Sequence, residues 1–253
     1  MSAADSQATA LRVSVIVPVR NEAGNIAALV AELEAALQPL APFEVIYVND
    51  GSTDGTENAL GALQASRPWL RQAVHAESRG QSAAVRTGVR LARANICATL
   101  DGDGQNNPAY IPQLIAALEA EGPAAGLAQG QRVGRKDTGF KRFQSRLANA
   151  VRGAVLRDDT RDTGCGLKAF RRDVYLALPY FDALHRFMPA LVKREGFTIA
   201  HVDVIDRPRL SGVSNYGFWN RLWVGIADLA GVRWLITRKR PKPDVREAGP
   251  NAG

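Results

Sequence analysis

The chain is short of the residues that build covalent frameworks and soft-metal cages. Only two of its 253 residues are cysteines, Cys97 and Cys165, and only three are histidines, His75, His185 and His201. Two cysteines in no ligand-like spacing give no disulfide framework, and a reducing compartment is the simpler expectation. None of the histidines lies near another ligand in the sequence, so zinc finds no recognisable site. Long apolar runs are missing as well. The best candidate, Leu222 to Ile236, is broken by Asp228 and Arg233, and no segment is expected to cross a bilayer. The first residues have neither the basic nor the apolar region of a secretory leader and are expected to form a disordered tail over residues 1–10. Neither G-x-G-x-x-G nor G-x-x-x-x-G-K-[ST] occurs, which removes the nicotinamide and P-loop classes.

What is present is enough apolar content for a full core, 46% hydrophobic residues, together with a formal net charge of +7. That charge implies an anionic partner: nucleic acid, acidic lipid headgroups or a phosphorylated substrate. Apolar, β-branched runs at Val13–Val19, Phe43–Val48 and Ile96–Leu100 read as strands separated by helical patterns. The first helix carries Ile26, Leu29, Val30, Leu33 and Leu37 on one face behind Asn25. Strands covered by such helices form a mostly parallel α/β sheet. After Gly130 the pattern turns basic, with helical stretches at Phe140–Leu156 and Ala183–Arg194, a strand at Thr198–Ile205 and an amphipathic helix at Phe218–Ile236. Residues 241–253 are expected to be a second disordered tail.

In open α/β sheets ligands sit beyond the carboxyl ends of the strands. The three clearest strands end in polar turns: Pro18-Val19-Arg20-Asn21-Glu22, Asn49-Asp50-Gly51-Ser52-Thr53-Asp54-Gly55 and Asp101-Gly102-Asp103-Gly104-Gln105. Each alone is ordinary turn and cap chemistry. Together they place carboxylates on one edge of a basic protein, and these repel one another unless a cation or donor groups compensate. Asp101 and Asp103 offer hard oxygens two residues apart with a glycine between them, which suits Mg2+ or Mn2+ completed by substrate phosphates.

These turns, with Gly80-x-x-x-Ala84-x-x-x-Gly88, Asp162-Thr163-Gly164-Cys165-Gly166-Leu167-Lys168 and Arg209-x-x-Gly212-x-Ser214, form an ordered set. On it the chain resembles a family 2 glycosyltransferase of the GT-A (Rossmann-like) fold, specifically the dolichol-phosphate mannosyltransferase and bacterial polyprenyl-phosphate glycosyltransferase group. The resemblance implies a nucleotide-sugar pocket made by Pro18, Arg20, Glu22, Asp50, Gly51, Ser52, Asp101 and Gly102. It implies a metal held by Asp101, Asp103 and Gln105, and an acceptor phosphate gripped by Arg132, Lys141, Arg142, Arg209 and Ser214. Asp101, Asp103, Arg132 and Arg209 are the residues it makes catalytic. Three positions depart from the group's pattern: Asn49 stands for a second Asp, Gly104 for a common Leu, and Asn215 for a frequent Lys after Ser214.

The function expected on this basis is inverting transfer of a sugar from a UDP- or GDP-sugar to a polyprenyl phosphate on the cytoplasmic face of the membrane. Residues 11–215 would be the catalytic domain and residues 216–240 a membrane-interface helix, since Trp219, Trp223 and Trp234 are followed by Arg238-Lys239-Arg240. Packing of that helix on protein, or in a homo-oligomer, is the alternative. Two other functions stand beside this one: a family 2 enzyme with a soluble sugar or glycan acceptor, and a basic nucleic-acid-binding protein. The acidic strand ends argue against the last.

Overall fold

The computed structural model describes residues 10–133, 152–207 and 218–239, with side chains of the last stretch described from Gly225 on. Lys141, Arg142, Arg209 and Ser214 lie outside the described residues, as do most of the 1–10 and all of the 241–253 tail.

Seven strands form one sheet: β1 (Val13–Val19), β2 (Phe43–Asp50), β3 (Leu70–His75), β4 (Ile96–Thr99), β5 (Ala125–Arg132), β6 (Lys168–Arg171) and β7 (Thr198–Val204), in the order β3-β2-β1-β4-β6-β5-β7. All neighbours pair in parallel except β6, which runs antiparallel to both β4 and β5. The fold is thus a GT-A-type α/β sheet. The β1 and β2 runs are buried on both sides, which is why they read as continuous apolar stretches without alternation.

Alternate residues feed two cores. Val13, Val15 and Val17 pack with α1 (Ala23–Leu37), α2 (Thr56–Gln64) and α4 (Ile111–Ala120), while Ile16 joins the opposite core with α3 (Gln81–Leu91), α5 (Arg172–Ala177), α6 (Leu184–Arg194) and α7 (Phe218–Thr237). Each fully buried Leu, Ile or Val contributes about 1.5–3 kcal/mol of burial free energy. The expected helix at 140–156 falls mostly outside the described residues, and residues 152–156 are helical.

The C-terminal half of α7 is docked. Val232 is buried, Leu229, Leu235 and Ile236 pack against the second core, and the Arg194 Nε–H donates to the Leu235 carbonyl at 3.0 Å. The packing alternative therefore describes one face of this helix. Ile226 and Trp234 remain exposed, and the Arg238 guanidinium lies 5.8 Å from the Trp234 ring centre. Among the described residues no helix is long and apolar enough to cross a membrane.

Candidate active site

The loops after β1 and β2 are stitched to each other before they present anything to a ligand. Asn21 has a positive φ of 57°; its N–H donates to Ser52 Oγ at 2.9 Å and its Oδ1 accepts from the Thr53 N–H at 2.8 Å. Asp54 Oδ1 accepts from the Thr56 N–H at 2.9 Å, and Oδ2 from the Ala23 N–H at 3.2 Å, capping two helix starts at once. The Glu22 N–H donates to Thr56 Oγ1 at 3.0 Å. Much of the polar signature at these turns is thus scaffolding, and Ser52 serves Asn21. Replacing Asn21 with Ala should lower the melting temperature by about 2–4 °C, and with Gly by less, because only glycine accepts this φ without strain. Equal losses in differential scanning fluorimetry would assign the whole effect to the Asn21 side-chain bonds.

Beyond the stitched loops lies a cleft of about 380 Å³ bounded by Pro18, Val19, Arg20, Glu22, Asp50, Asp101, Gly102 and Asp103, and by Ser78, Gly80, Gln81 and Ala84. Six of the eight residues expected around a nucleotide line it; Gly51 and Ser52 do not. Nothing in the sequence marks the Ser78–Gln81 stretch as part of the pocket except Gly80, which opens the Gly80-x-x-x-Ala84-x-x-x-Gly88 motif. Its Gln81 Nε2–H donates to Asp101 Oδ1 at 2.8 Å.

Asp50 enters the cleft with its oxygens already engaged. Its Oδ1 accepts from His75 Nδ1 at 2.7 Å and the Arg79 N–H at 2.8 Å, its Oδ2 from Ser78 Oγ at 2.7 Å and the Gly80 N–H at 2.9 Å. A carboxylate offers about four lone-pair directions, and the protein occupies all of them. Burial pushes the Asp50 carboxyl up, but these donors outweigh it and hold it below the usual carboxylate range. Asp50 therefore shapes the wall of the cleft through the 78–80 backbone instead of offering free acceptors to a base or ribose.

The Asp101–Gln105 turn, expected to hold a metal, sits at the other end. The Asp101 N–H donates to Asn106 Oδ1 at 2.9 Å, and Asp103 Oδ1 accepts from the Gln105 N–H at 3.1 Å, folding residues 101–106 into a tight turn. Burial raises the Asp101 carboxyl above its ordinary range; Lys168 and Arg132 oppose the shift, whereas Asp103 and Asp206 add to it. Gly166 closes over this carboxylate: a Cβ there would stand 2.5 Å from Asp101 Oδ2, so no larger residue fits. Among the described residues no three His, Cys, Asp or Glu side chains gather as a cage. An acidic pair without a cage fits an ion that keeps waters and is completed by a diphosphate.

Arg132 stands beside this turn in a fork with Asp162, Nε to Oδ2 at 2.5 Å and Nη2 to Oδ1 at 2.9 Å, while its Nη1 reaches Asp206 Oδ2 at 3.4 Å. Burial pushes Asp162 up, but the Arg132 fork wins and keeps it ionised below its usual range. Asp206, absent from the sequence reading, also accepts from Asn106 Nδ2 at 3.1 Å. A continuous chain of polar contacts thus runs from Asp101 through Asn106 and Asp206 to Arg132. Lys168 is buried and donates to the Cys165 carbonyl; burial lowers its pKa, against the pull of Cys165, Asp101 and Asp162. Leu184 and Arg186 flank His185, which is half-buried and held neutral, its pKa pushed down to about 3 by desolvation and by Lys168 and Arg186.

A GT-A sheet with its acidic pair and cleft at the carboxyl edge defines the class of protein. Solved structures agree on the fold. Glucosyl-3-phosphoglycerate synthase from Mycobacterium tuberculosis, in complex with Mn2+, UDP and phosphoglyceric acid, matches with a TM-score of 0.66 at 17% identity, over 90% of this chain and 79% of that one. A mannosyltransferase from Pyrobaculum calidifontis, in complex with GDP-Man and Mn2+, matches at 0.64 and 22% identity, over 92% and 66%. Residues 14–178 match the family described as Glycosyl transferase family 2. Dodecaprenyl-phosphate galacturonate synthase of Rhizobium johnstonii is 34% identical over 90% of this chain and 68% of its own length. Undecaprenyl-phosphate 4-deoxy-4-formamido-L-arabinose transferase of Shewanella sediminis is 30% identical over 82% of this chain. The chain belongs to glycosyl transferase family 2. It spans 62% of the length of the second relative.

Proposed function

We propose that this protein transfers a sugar from a nucleoside diphosphate to a polyprenyl phosphate with inversion at the anomeric carbon. The observation that carries the reading is the adjacency of the Asp101–Asp103 turn, at one end of the cleft, to the Arg132 fork. The curated relatives with polyprenyl-phosphate substrates in their names support it. A phosphate monoester is already anionic at neutral pH, so attack needs no general base. Its oxygen forms the bond to the anomeric carbon as the bond from that carbon to the donor diphosphate breaks, and the electron pair leaves with the nucleoside diphosphate.

Asp101 and Asp103 are the residues that would hold Mg2+ or Mn2+, with Gln105 at the end of the turn, and the ion would neutralise charge on the departing diphosphate. Gln81 orients Asp101. Arg132 offers a planar fork suited to phosphate oxygens, at present matched by Asp162. An arriving acceptor phosphate exchanges with Asp162 for that fork. Incubation with polyprenyl phosphate and a panel of UDP- and GDP-sugars, read by mass spectrometry of the lipid, tests the proposal. A glycosylated lipid phosphate is expected; transfer only to soluble sugars would replace it with the soluble-acceptor reading.

Membrane contact at the cytoplasmic face would fall to the exposed side of α7. Arg238 contributes roughly 1 kcal/mol near an anionic surface, Lys239 being tied to Glu195 and the Arg194 carbonyl, and Trp234 adds an apolar part that salt does not screen. The chain is expected to float with anionic liposomes at low salt, and Trp234→Ala to lose the fraction that persists at high salt. Indistinguishable flotation of the two proteins at both salts would remove α7 as the contact.

A further inference from the structure

The buried carboxylate of Asp50, 7% exposed, is the hub of a polar relay that leaves the cleft and ends on the far side of α3. The chain between β3 and α3 is wrapped around it: the Ser78 hydroxyl and the Arg79 and Gly80 N–H groups all donate to its oxygens. The neighbouring Gly51, at φ +65°, lies so close that a Cβ would stand 2.5 Å from the Ser78 nitrogen. The same stretch delivers Ser78, Gly80 and Gln81 to the cleft. Its position therefore depends on the rotamer of one carboxylate.

That rotamer is set from behind. His75 Nδ1 meets Asp50 Oδ1 at 2.7 Å, and His75 Nε2 meets Thr87 Oγ1 at 2.9 Å. An ionised carboxylate only accepts, so Nδ1 carries the hydrogen, and Nε2 is left to the Thr87 hydroxyl. Thr87 does not line the cleft that holds Asp50. It lines a separate one of about 250 Å³ with Arg86, Arg90 and Tyr180.

We infer that His75, oriented by Thr87, is a positioning residue for the donor: through Asp50 it fixes the Ser78–Gln81 wall against which the nucleotide binds. The inference rests on the reading of this cleft as the nucleotide site. It assigns donor affinity to a hydroxyl that no donor touches.

The test uses the full chain and three variants: Thr87→Val, which removes only the hydroxyl's hydrogen bond, Thr87→Ser, which restores it, and His75→Phe, which removes both bonds. Binding of UDP and of GDP is measured by calorimetry, beside donor KM, acceptor KM, kcat and melting temperature. Loss of one such bond corresponds to about a fivefold weakening. Thr87→Val is expected to raise nucleotide Kd and donor KM by about that factor with acceptor KM unchanged, and Thr87→Ser to return both to the wild-type value. Should His75→Phe fail to fold, Thr87→Val and its rescue still decide. Lower melting temperatures with unchanged nucleotide affinity would reduce the relay to a structural device and overturn the inference alone. Failure of the wild-type chain to bind either nucleotide would overturn the reading of the cleft, and this inference with it.

Discussion

Asp101→Asn and Asp103→Asn are each expected to cut turnover by about 10²–10³-fold, the scale of losing one group that stabilises developing charge, while leaving the melting temperature unchanged or raised. Asparagine keeps an oxygen for Gln81 at position 101 and for the Gln105 N–H at position 103. It removes a negative charge from a turn where burial, Asp103 and Asp206 already disfavour ionisation of Asp101. What is lost is the capacity to hold a divalent cation. Chelation with EDTA should reproduce the loss in the wild type, with Mn2+ or Mg2+ restoring it. Undiminished turnover in both variants, or in chelated enzyme, would remove the metal from the mechanism.

Arg132→Ala should raise the lipid-phosphate requirement far more than the nucleotide-sugar requirement, with kcat/KM for the lipid falling about 10- to 100-fold, the worth of one or two charged hydrogen bonds. The variant also strips Asp162 of both fork partners and Asp206 of its contact. Asp162→Asn separates the two consequences. If Arg132 serves mainly to neutralise Asp162, adding Asp162→Asn rescues Arg132→Ala; if it serves the acceptor, the double mutant stays as poor as Arg132→Ala. Equal effects on both substrates would move Arg132 to the donor diphosphate or to structure.

In the half that lines the cleft β1, β2 and β4 were legible as conventional strands, whereas β3 was not. Val13–Val19 and Phe43–Asp50 are β-branched and buried throughout, and their polar turns follow at once. In the other half, α6, β7 and α7 stand close to the stretches read at Ala183–Arg194, Thr198–Ile205 and Phe218–Ile236, but β5 and β6 left no mark. The β5 sequence AGLAQGQR has a single residue beyond alanine, glycine, glutamine and arginine, yet nearly all of it is buried, so neither apolar content nor alternation marked it as a strand. Gly126 and Gly130 are there because neighbours leave no room for a Cβ: Phe197 and Val192 at one, Leu167 and Cys165 at the other. Such crowding comes from distant parts of the chain and leaves no local signal. β6, four residues long, is too short to show a period.

Within the site, residue types told more than roles. Asp101 and Asp103 are singled out by their motif, and Arg132 by the family resemblance alone. Asp54 and Asn21 carry equally recognisable motif positions but bond to backbone groups of the adjoining loop. Asp50 has the right place and spends its oxygens on protein donors, a fact that depends on where the 75–80 stretch folds and that no spacing reveals. Asp206, contacting Asn106 and Arg132, had no motif to announce it.

The antiparallel wedge of β6 between β4 and β5 has a consequence for how the molecule is made. On the ribosome β1 to β4 emerge first, and these four can pair among themselves in the order β3-β2-β1-β4 with their helices, as N-terminal segments fold during synthesis. β5 emerges next but has no neighbour in that nascent sheet, because its place beside β4 belongs to a strand not yet synthesised. Only when residues 168–171 slide in does the sheet extend to β5 and β7, and the same event brings Gly166 and Lys168 up to Asp101. The half that lines the cleft can therefore assemble before β5 to β7 join it, and the acidic turn acquires its glycine cover and its buried lysine only once residues 166–168 have been made.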